Sequence, residues 1–153
     1  MLSNLTFKVS QCSCLRDPTD SDLGRRILAH SVDLVDEIGL EQFTFKKLAV
    51  SLGSTEASVY RYFENKHKLL VYLANWYWSW LQNKILKTTY NHPSDYFKLE
   101  KTIELLASPI EQDDNFDFID QKKLYNIIIA EGAKVYLVKD VDSENLEGAF
   151  LAY

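Results

Sequence analysis

The feature that most constrains this chain is a close succession of helix-start and helix-stop residues between positions 44 and 65. Thr44, Thr55 and Asn65 each have a side-chain oxygen that accepts a backbone N–H in the first turn of a helix. Gly53 suits the left-handed conformation that ends a helix. The spacing therefore predicts two helices of fewer than three turns, which pack together as a helix-turn-helix. The second short helix, opened by Thr55, is the candidate recognition helix of this pair.

Longer apolar patterns flank this pair of short helices. An amphipathic helix is predicted to begin at 20–22, with capping oxygens and negative charge, and to end at Gly39. A second helix is predicted from Lys66 to about Lys87, and apolar residues cover several of its sides. A helix of that kind is normally buried between two layers. We expect it to connect the small head to a helical body.

The remainder of the chain also favours helices. Asp95 starts a predicted helix that runs to Ser108, because Pro109 prevents its continuation. A further helix begins at 120 or 121 and ends near Lys139, although residues 127–129 also fit a buried strand. Ser143 opens a last helical pattern. In the helix that starts at Asp95 and in the one that begins at 120 or 121, certain residues are expected to face neighbouring elements. They are Leu99, Ile103, Leu106, Leu124, Ile127, Ile128, Ala130, Val135 and Tyr136.

These patterns predict an all-α fold, with a tri-helical head joined by a long helix to a partial helical bundle. We expect a flexible arm over residues 1–19, a helix-turn-helix domain over 20–66 and a helical regulatory domain over 67–153. Hydrophobic residues make up 46% of the 153 residues, which is enough for a core without metal or disulfides. No stretch is long and apolar enough to span a bilayer and no secretory signal is evident, so we expect a cytoplasmic protein.

Charge is distributed unevenly along the chain. Residues 44–68 hold five basic residues against two acidic ones, whereas 93–153 hold six lysines against thirteen acidic residues. This polarity suits a basic face for a polyanion on an acidic body. We find no phosphate-binding glycine loop, nucleophile elbow or metal-ligand pattern. We therefore expect no catalytic residue, no metal, no cofactor and no enzymatic activity.

The run from Phe43 to Leu70, FTFKKLAVSLGSTEASVYRYFENKHKLL, closely resembles the helix-turn-helix signature of TetR-family transcriptional regulators. The resemblance covers about 24–70 and rests on the order Thr, Leu-Ala, Gly, Tyr, Phe and Lys. Ser54 stands where the family usually has Val, and Tyr62 where it often has His. Family members usually continue well beyond this length, so we expect the regulatory domain to be incomplete.

The resemblance implies a set of DNA contacts. Double-stranded DNA is the expected partner, read in the major groove, where Arg61 would contact guanine and Glu56 would accept from cytosine. Lys66 would grip the backbone at the start of the long helix. The full set of expected DNA-binding residues is Thr44, Lys46, Lys47, Thr55, Glu56, Ala57, Ser58, Tyr60, Arg61, Tyr62 and Lys66.

Several of these residues have an alternative role. Thr44 and Thr55 cap helices whether or not DNA is present. Tyr60 is equally compatible with the core and with a phosphate contact. Lys66 is either a solvated cation or a ligand for an anion, and its unfavourable place at a helix N-terminus favours the anion.

The resemblance further implies a ligand-responsive repressor that binds a palindromic operator as a homodimer in its complete form. An unknown small-molecule effector would enter the helical body and displace the long helix. The aromatic residues that could line its pocket, or simply form core, are Trp76, Tyr77, Trp80, Tyr96, Tyr125 and Tyr136. The alternative function is a helical adaptor that binds protein rather than an operator, which the acidic body and Glu56 motivate. A small helical enzyme has only the aromatic cluster in its favour.

Overall fold

A computed structural model describes residue 9 and residues 13–136. The predicted helical pattern from Ser143, part of the expected arm and Cys12 lie outside these residues. The described part contains six α-helices and no strand. They are α1 (Asp22–Gln42), α2 (Phe45–Leu52), α3 (Glu56–Tyr60), α4 (Lys66–Thr89), α5 (Asp95–Ala107) and α6 (Gln121–Glu131). Short 3-10 turns span Pro18–Asp20, Asp114–Phe116 and Gly132–Tyr136.

The capping residues define the head as the sequence predicts. The side chains of Thr44, Thr55 and Asn65 accept backbone N–H groups at the starts of α2, α3 and α4. Gly53 ends α2 with φ of 63°. Gly39 has φ of 77° and interrupts α1, which turns once more before Phe43. The all-α fold class and the helix-turn-helix are confirmed.

One apolar core joins the head to the body. Ile27, Leu48 and Phe63 are fully buried in the head, while Trp76 and Leu124 are buried in the body, all within one cluster. The 24 residues of α4 extend about 36 Å and contribute buried side chains to both regions. α4 is therefore the connector that the sequence predicts. Residues 127–129 lie in α6, which settles the strand alternative in favour of the helix.

The segment before α1 differs from the expected flexible arm. From residue 13 onward it packs on the head: the Leu15 N–H donates to the Tyr62 carbonyl at 2.8 Å, and Pro18 is buried. Gly24 allows this approach, because a Cβ there would meet the Pro18 carbonyl oxygen at 2.1 Å. Periodicity could not predict this packing, since the segment forms no long helix.

The apolar face of α5 also differs from the prediction. Leu99, Ile103 and Leu106 are between 57% and 58% exposed, and no residue of α5 is buried. The predicted inward face of α5 is therefore wrong: within the described part of the chain, α5 packs through other residues, such as Leu105. In α6 and the turn after it, Leu124, Ile127, Ile128 and Val135 are buried as predicted. Ala130 and Tyr136, expected to face neighbours, are exposed.

The acidic loop between α5 and α6 is pinned to α4 by aromatic contacts. Phe116 and Phe118 pack edge-on against Trp76, with ring centroids 5.6 and 6.1 Å apart. The Trp80 indole N–H donates to Asp113 at 3.0 Å. These contacts hold the loop against α4.

Candidate nucleic-acid interface

The candidate reading helix α3 is organised by a chain of hydroxyl contacts. The Thr55 hydroxyl accepts the Ser58 N–H at 3.3 Å and hydrogen bonds the Ser58 hydroxyl at 3.0 Å. The Arg61 guanidinium donates to that same Ser58 hydroxyl at 3.2 Å. Arg61 is thus held at the end of α3 by groups of the helix itself, and it remains exposed.

Most of the predicted DNA-binding residues are exposed on the head. Thr44, Lys46, Lys47, Thr55, Glu56, Ala57, Tyr60, Arg61 and Lys66 are all exposed. The ring of Tyr60 packs edge-on against Phe45 at 5.0 Å while 48% of the residue is exposed, so Tyr60 is neither fully in the core nor fully in solvent. A surface that presents hydroxyls and cations from the starts of α2 and α3 suits phosphate contacts.

Two of the predicted contact residues do not lie on this surface. Ser58 is 8% exposed, and its hydroxyl is used by Thr55 and Arg61. Tyr62 is 3% exposed, and its hydroxyl hydrogen bonds Ser21 at 2.8 Å. Both expectations are corrected, since each hydroxyl points to a partner within the head. Their contribution is to position neighbouring groups.

Two predicted cations, although exposed, bond backbone carbonyls of the head. Lys47 Nζ donates to the Gln42 carbonyl at 2.8 Å. Lys66 Nζ donates to three carbonyls at the end of α1, those of Leu40, Glu41 and Phe43, at 3.1, 3.3 and 3.4 Å. The sequence analysis expects Lys66 to grip the DNA backbone. In the structure its ammonium is instead directed to these three carbonyls.

The structure adds one cation that the sequence pattern did not single out. The Arg16 guanidinium lies 5.6 Å from the centre of the Tyr62 ring, and Arg16 is exposed. The backbone bond between Leu15 and Tyr62 holds this segment beside the end of α3. Arg16 lies outside the predicted helices, so the only available signal was its positive charge.

The head is similar to a known family of proteins. Residues 27–73 match the family model of bacterial regulatory proteins of the tetR family. The chain carries a TetR-family helix-turn-helix. The matched segment runs from within α1 into α4 and contains all of α2 and α3. Neither the curated proteins nor the solved structures include a significant match.

Two neighbouring clefts lie behind the TetR-family head in the described part of the body. A cleft of about 290 Å³ lies between α4 and α5 and includes Trp80, Lys84 and Lys101. A second, of about 390 Å³, includes Tyr77 and Tyr125. Both are lined by Leu81, Leu105 and residues 108–110. Apolar side chains such as Leu81 and Leu105 line them together with polar groups such as Lys84, Glu104 and Asn126.

These clefts divide the predicted pocket residues. Trp80, Tyr77 and Tyr125 line them. Trp76 is 1% exposed and stacks on Trp80 within the core, and Tyr96 is 77% exposed on α5, so neither lines these clefts. Tyr136 is 46% exposed and also lies outside both. The pocket expectation is corrected for these three residues, because aromatic composition does not reveal which ring reaches a cleft.

Two titratable groups next to the clefts have shifted pKa values. Burial raises the pKa of the Tyr77 hydroxyl, and neighbouring Tyr125 adds to the effect. Burial opposes ionisation of Asp113, but hydrogen bonds from Trp80 and Asn115 outweigh it, so the pKa of Asp113 lies below its usual value. At neutral pH, Tyr77 is therefore a neutral hydroxyl and Asp113 a carboxylate.

No helix in the described part of the chain is long and apolar enough to cross a membrane. Residues 13–136, with residue 9, also contain no cluster of three or more His, Cys, Asp or Glu side chains arranged to hold a metal ion.

Proposed function

We propose that this protein is a ligand-responsive transcriptional repressor that binds a palindromic operator as a homodimer. The observation that carries the proposal is the exposed surface of α3, with Arg61 held by Ser58, within a TetR-family segment. TetR-family proteins are DNA-binding transcriptional regulators.

Arg61, Glu56 and Ala57 are proposed to read base edges in the major groove. Arginine suits guanine, a carboxylate accepts from cytosine N4, and a methyl group meets the thymine methyl. All three residues are exposed on or directly after α3. Sequence preference should therefore depend on these side chains.

Phosphate contacts are assigned to a different group of residues. Thr44, Lys46, Lys47, Thr55 and Tyr60 are proposed to meet the backbone, since they are exposed around α3. We add Arg16 to this group because it lies beside the end of α3. Removing Arg16 should weaken binding to all DNA sequences about equally and reduce the salt dependence of affinity by roughly one phosphate contact per head. Equal salt slopes for R16A and wild type would show that Arg16 makes no phosphate contact.

The operator can be identified by enrichment of a duplex from a random-sequence pool with the full-length protein. Two recognition helices related by two-fold symmetry should select inverted half-sites, with centres about 34–36 Å apart. Sedimentation of the complex should give two chains per duplex. A protein with no salt-dependent DNA binding, or one that enriches no sequence, would contradict the proposed function.

The two clefts are proposed to admit the effector. Leu105 lines both, so L105W should narrow both while leaving the head intact. A compound that releases the enriched duplex from the wild-type protein should then act at much higher concentration on L105W. An unchanged response would place the effector elsewhere.

A further inference from the structure

At the end of α1, the backbone of Leu40 forms hydrogen bonds with side chains of two other helices. The Leu40 N–H donates to the Glu131 carboxylate of α6 at 3.4 Å, while the Leu40 carbonyl accepts from Lys66 Nζ of α4 at 3.1 Å. Leu40 directly follows the kink at Gly39 and is 8% exposed. The last turn of α1, which leads into α2, is therefore attached to two helices that extend into the body.

Lys66 is fully engaged at this junction. An ammonium has three N–H donors, and three backbone carbonyls lie within 3.4 Å of this one. A phosphate oxygen would have to displace one of these carbonyls. Lys66 thus suits the orientation of α4 against the α1 end better than a grip on DNA.

Glu131 supplies the opposite contact. Its side chain is 14% exposed, and its second oxygen pairs with Lys134 at 2.5 Å. A carboxylate with little access to water and a lysine partner keeps a restricted orientation. Its bond to Leu40 consequently depends on the position of the end of α6.

Further contacts run along the same pair of helices. Lys123 of α6 pairs with Asp33 of α1 at 2.6 Å, and Asn126 donates to Asp36 at 3.4 Å. Asn126 also lines the larger cleft, together with Lys122 and Tyr125 of α6. α6 therefore both borders this cleft and contacts the head along α1.

We propose that the backbone of Leu40 is the junction through which the body sets the orientation of the head, with Lys66 and Glu131 as positioning residues rather than DNA contacts. This inference rests on the proposed function, whose regulation it specifies. Movement of α6 would weaken specific binding by misplacing α3 in one head relative to the other. Contacts between either head and phosphates would remain.

The test compares two duplexes bound by the full-length protein: the enriched duplex and one of random sequence. K66A and E131A should each weaken binding to the enriched duplex on the order of tenfold, within the usual range of coupling between sites. Affinity for the random duplex and the salt slope should not change, whereas an unfolded variant would lose both affinities. E131Q retains an oxygen acceptor for the Leu40 N–H and should restore most of the specific affinity.

D95A is the matched control, since Asp95 also pairs with a lysine three residues away, Lys98, but lies on α5. It should bind both duplexes as wild type does. The proposal is overturned for Lys66 if K66A weakens both duplexes equally and lowers the salt slope by about 0.9 for each lost phosphate contact. It is overturned for Glu131 if E131A binds like D95A.

A separate measurement distinguishes failure of this inference from failure of the proposed function. Hydrogen exchange at the Leu40 amide requires no DNA, and E131A should accelerate it while E131Q should not. If wild type enriches no operator but E131A exposes the Leu40 amide, the junction exists and the regulatory function is wrong. If hydrogen exchange at the Leu40 amide is the same in E131A as in wild type, the proposed junction is wrong.

Discussion

Removal of Lys46 provides a direct measure of how the head contacts DNA. Lys46 is exposed in the first turn of α2, and its ammonium makes no hydrogen bond or ion pair with the described residues. K46A should therefore leave the fold unchanged. If Lys46 meets a phosphate in each of two heads, the variant loses two contacts and the salt slope falls by about 1.8, because each contact contributes about 0.9.

This change is large enough to measure. Between 50 and 200 mM salt, a slope smaller by 1.8 makes the salt-induced loss of affinity about 12-fold smaller than in wild type. Fluorescence anisotropy with a random-sequence duplex, at several salt concentrations, gives both slopes. K98A is the control, since Lys98 lies on α5 in an exposed ion pair with Asp95.

Two outcomes would refute the reasoning. A slope equal to that of K98A would show that Lys46 makes no phosphate contact. A decrease of about 0.9 would mean that only one head engages the duplex, which contradicts the proposed dimer.

The remaining predictions concern specificity, packing and pH. R61A should change which base is preferred at one position of the enriched duplex, by about 1–3 kcal/mol, as measured by competition among single-base variants; uniform weakening would refute base reading. G24A should lower the free energy of unfolding by about 1–3 kcal/mol, because its Cβ would overlap the Pro18 carbonyl, whereas G132A should be close to neutral; equal urea midpoints would contradict this packing. Folding lowers the pKa of Asp113 below its ordinary value of 3.8. The contribution of the Asp113 carboxylate to the free energy of unfolding should therefore be complete above pH 3.8 and should disappear as the pH falls through the lower pKa of the folded state. The stability advantage of wild type over D113N should therefore shrink below pH 3.8, and an advantage that stays constant would exclude this linkage.

The head was predictable because its signals are local. A capping oxygen at Thr44, Thr55 or Asn65 bonds an N–H only three residues away, so the sequence itself places the helix starts. Gly53 and Gly39 have the positive φ angles that favour glycine.

The predictions that needed correction depend on distant partners. Tyr62 occupies a family contact position, yet its hydroxyl bonds Ser21, 41 residues earlier. Lys66 bonds carbonyls 23 to 26 residues away. Periodicity identified an apolar face on α5 but not whether Leu99 and Ile103 would meet a neighbour.

Sequence alone thus determined the order of the helices, their starts and the nature of the head, because backbone capping and helical periodicity act over a few residues. Only the tertiary structure decided which cations are available to DNA, which rings border a cleft and how α6 reaches Leu40. A lysine or a carboxylate has the same intrinsic chemistry wherever it occurs in a sequence. Its role depends on which groups the fold brings within hydrogen-bonding distance.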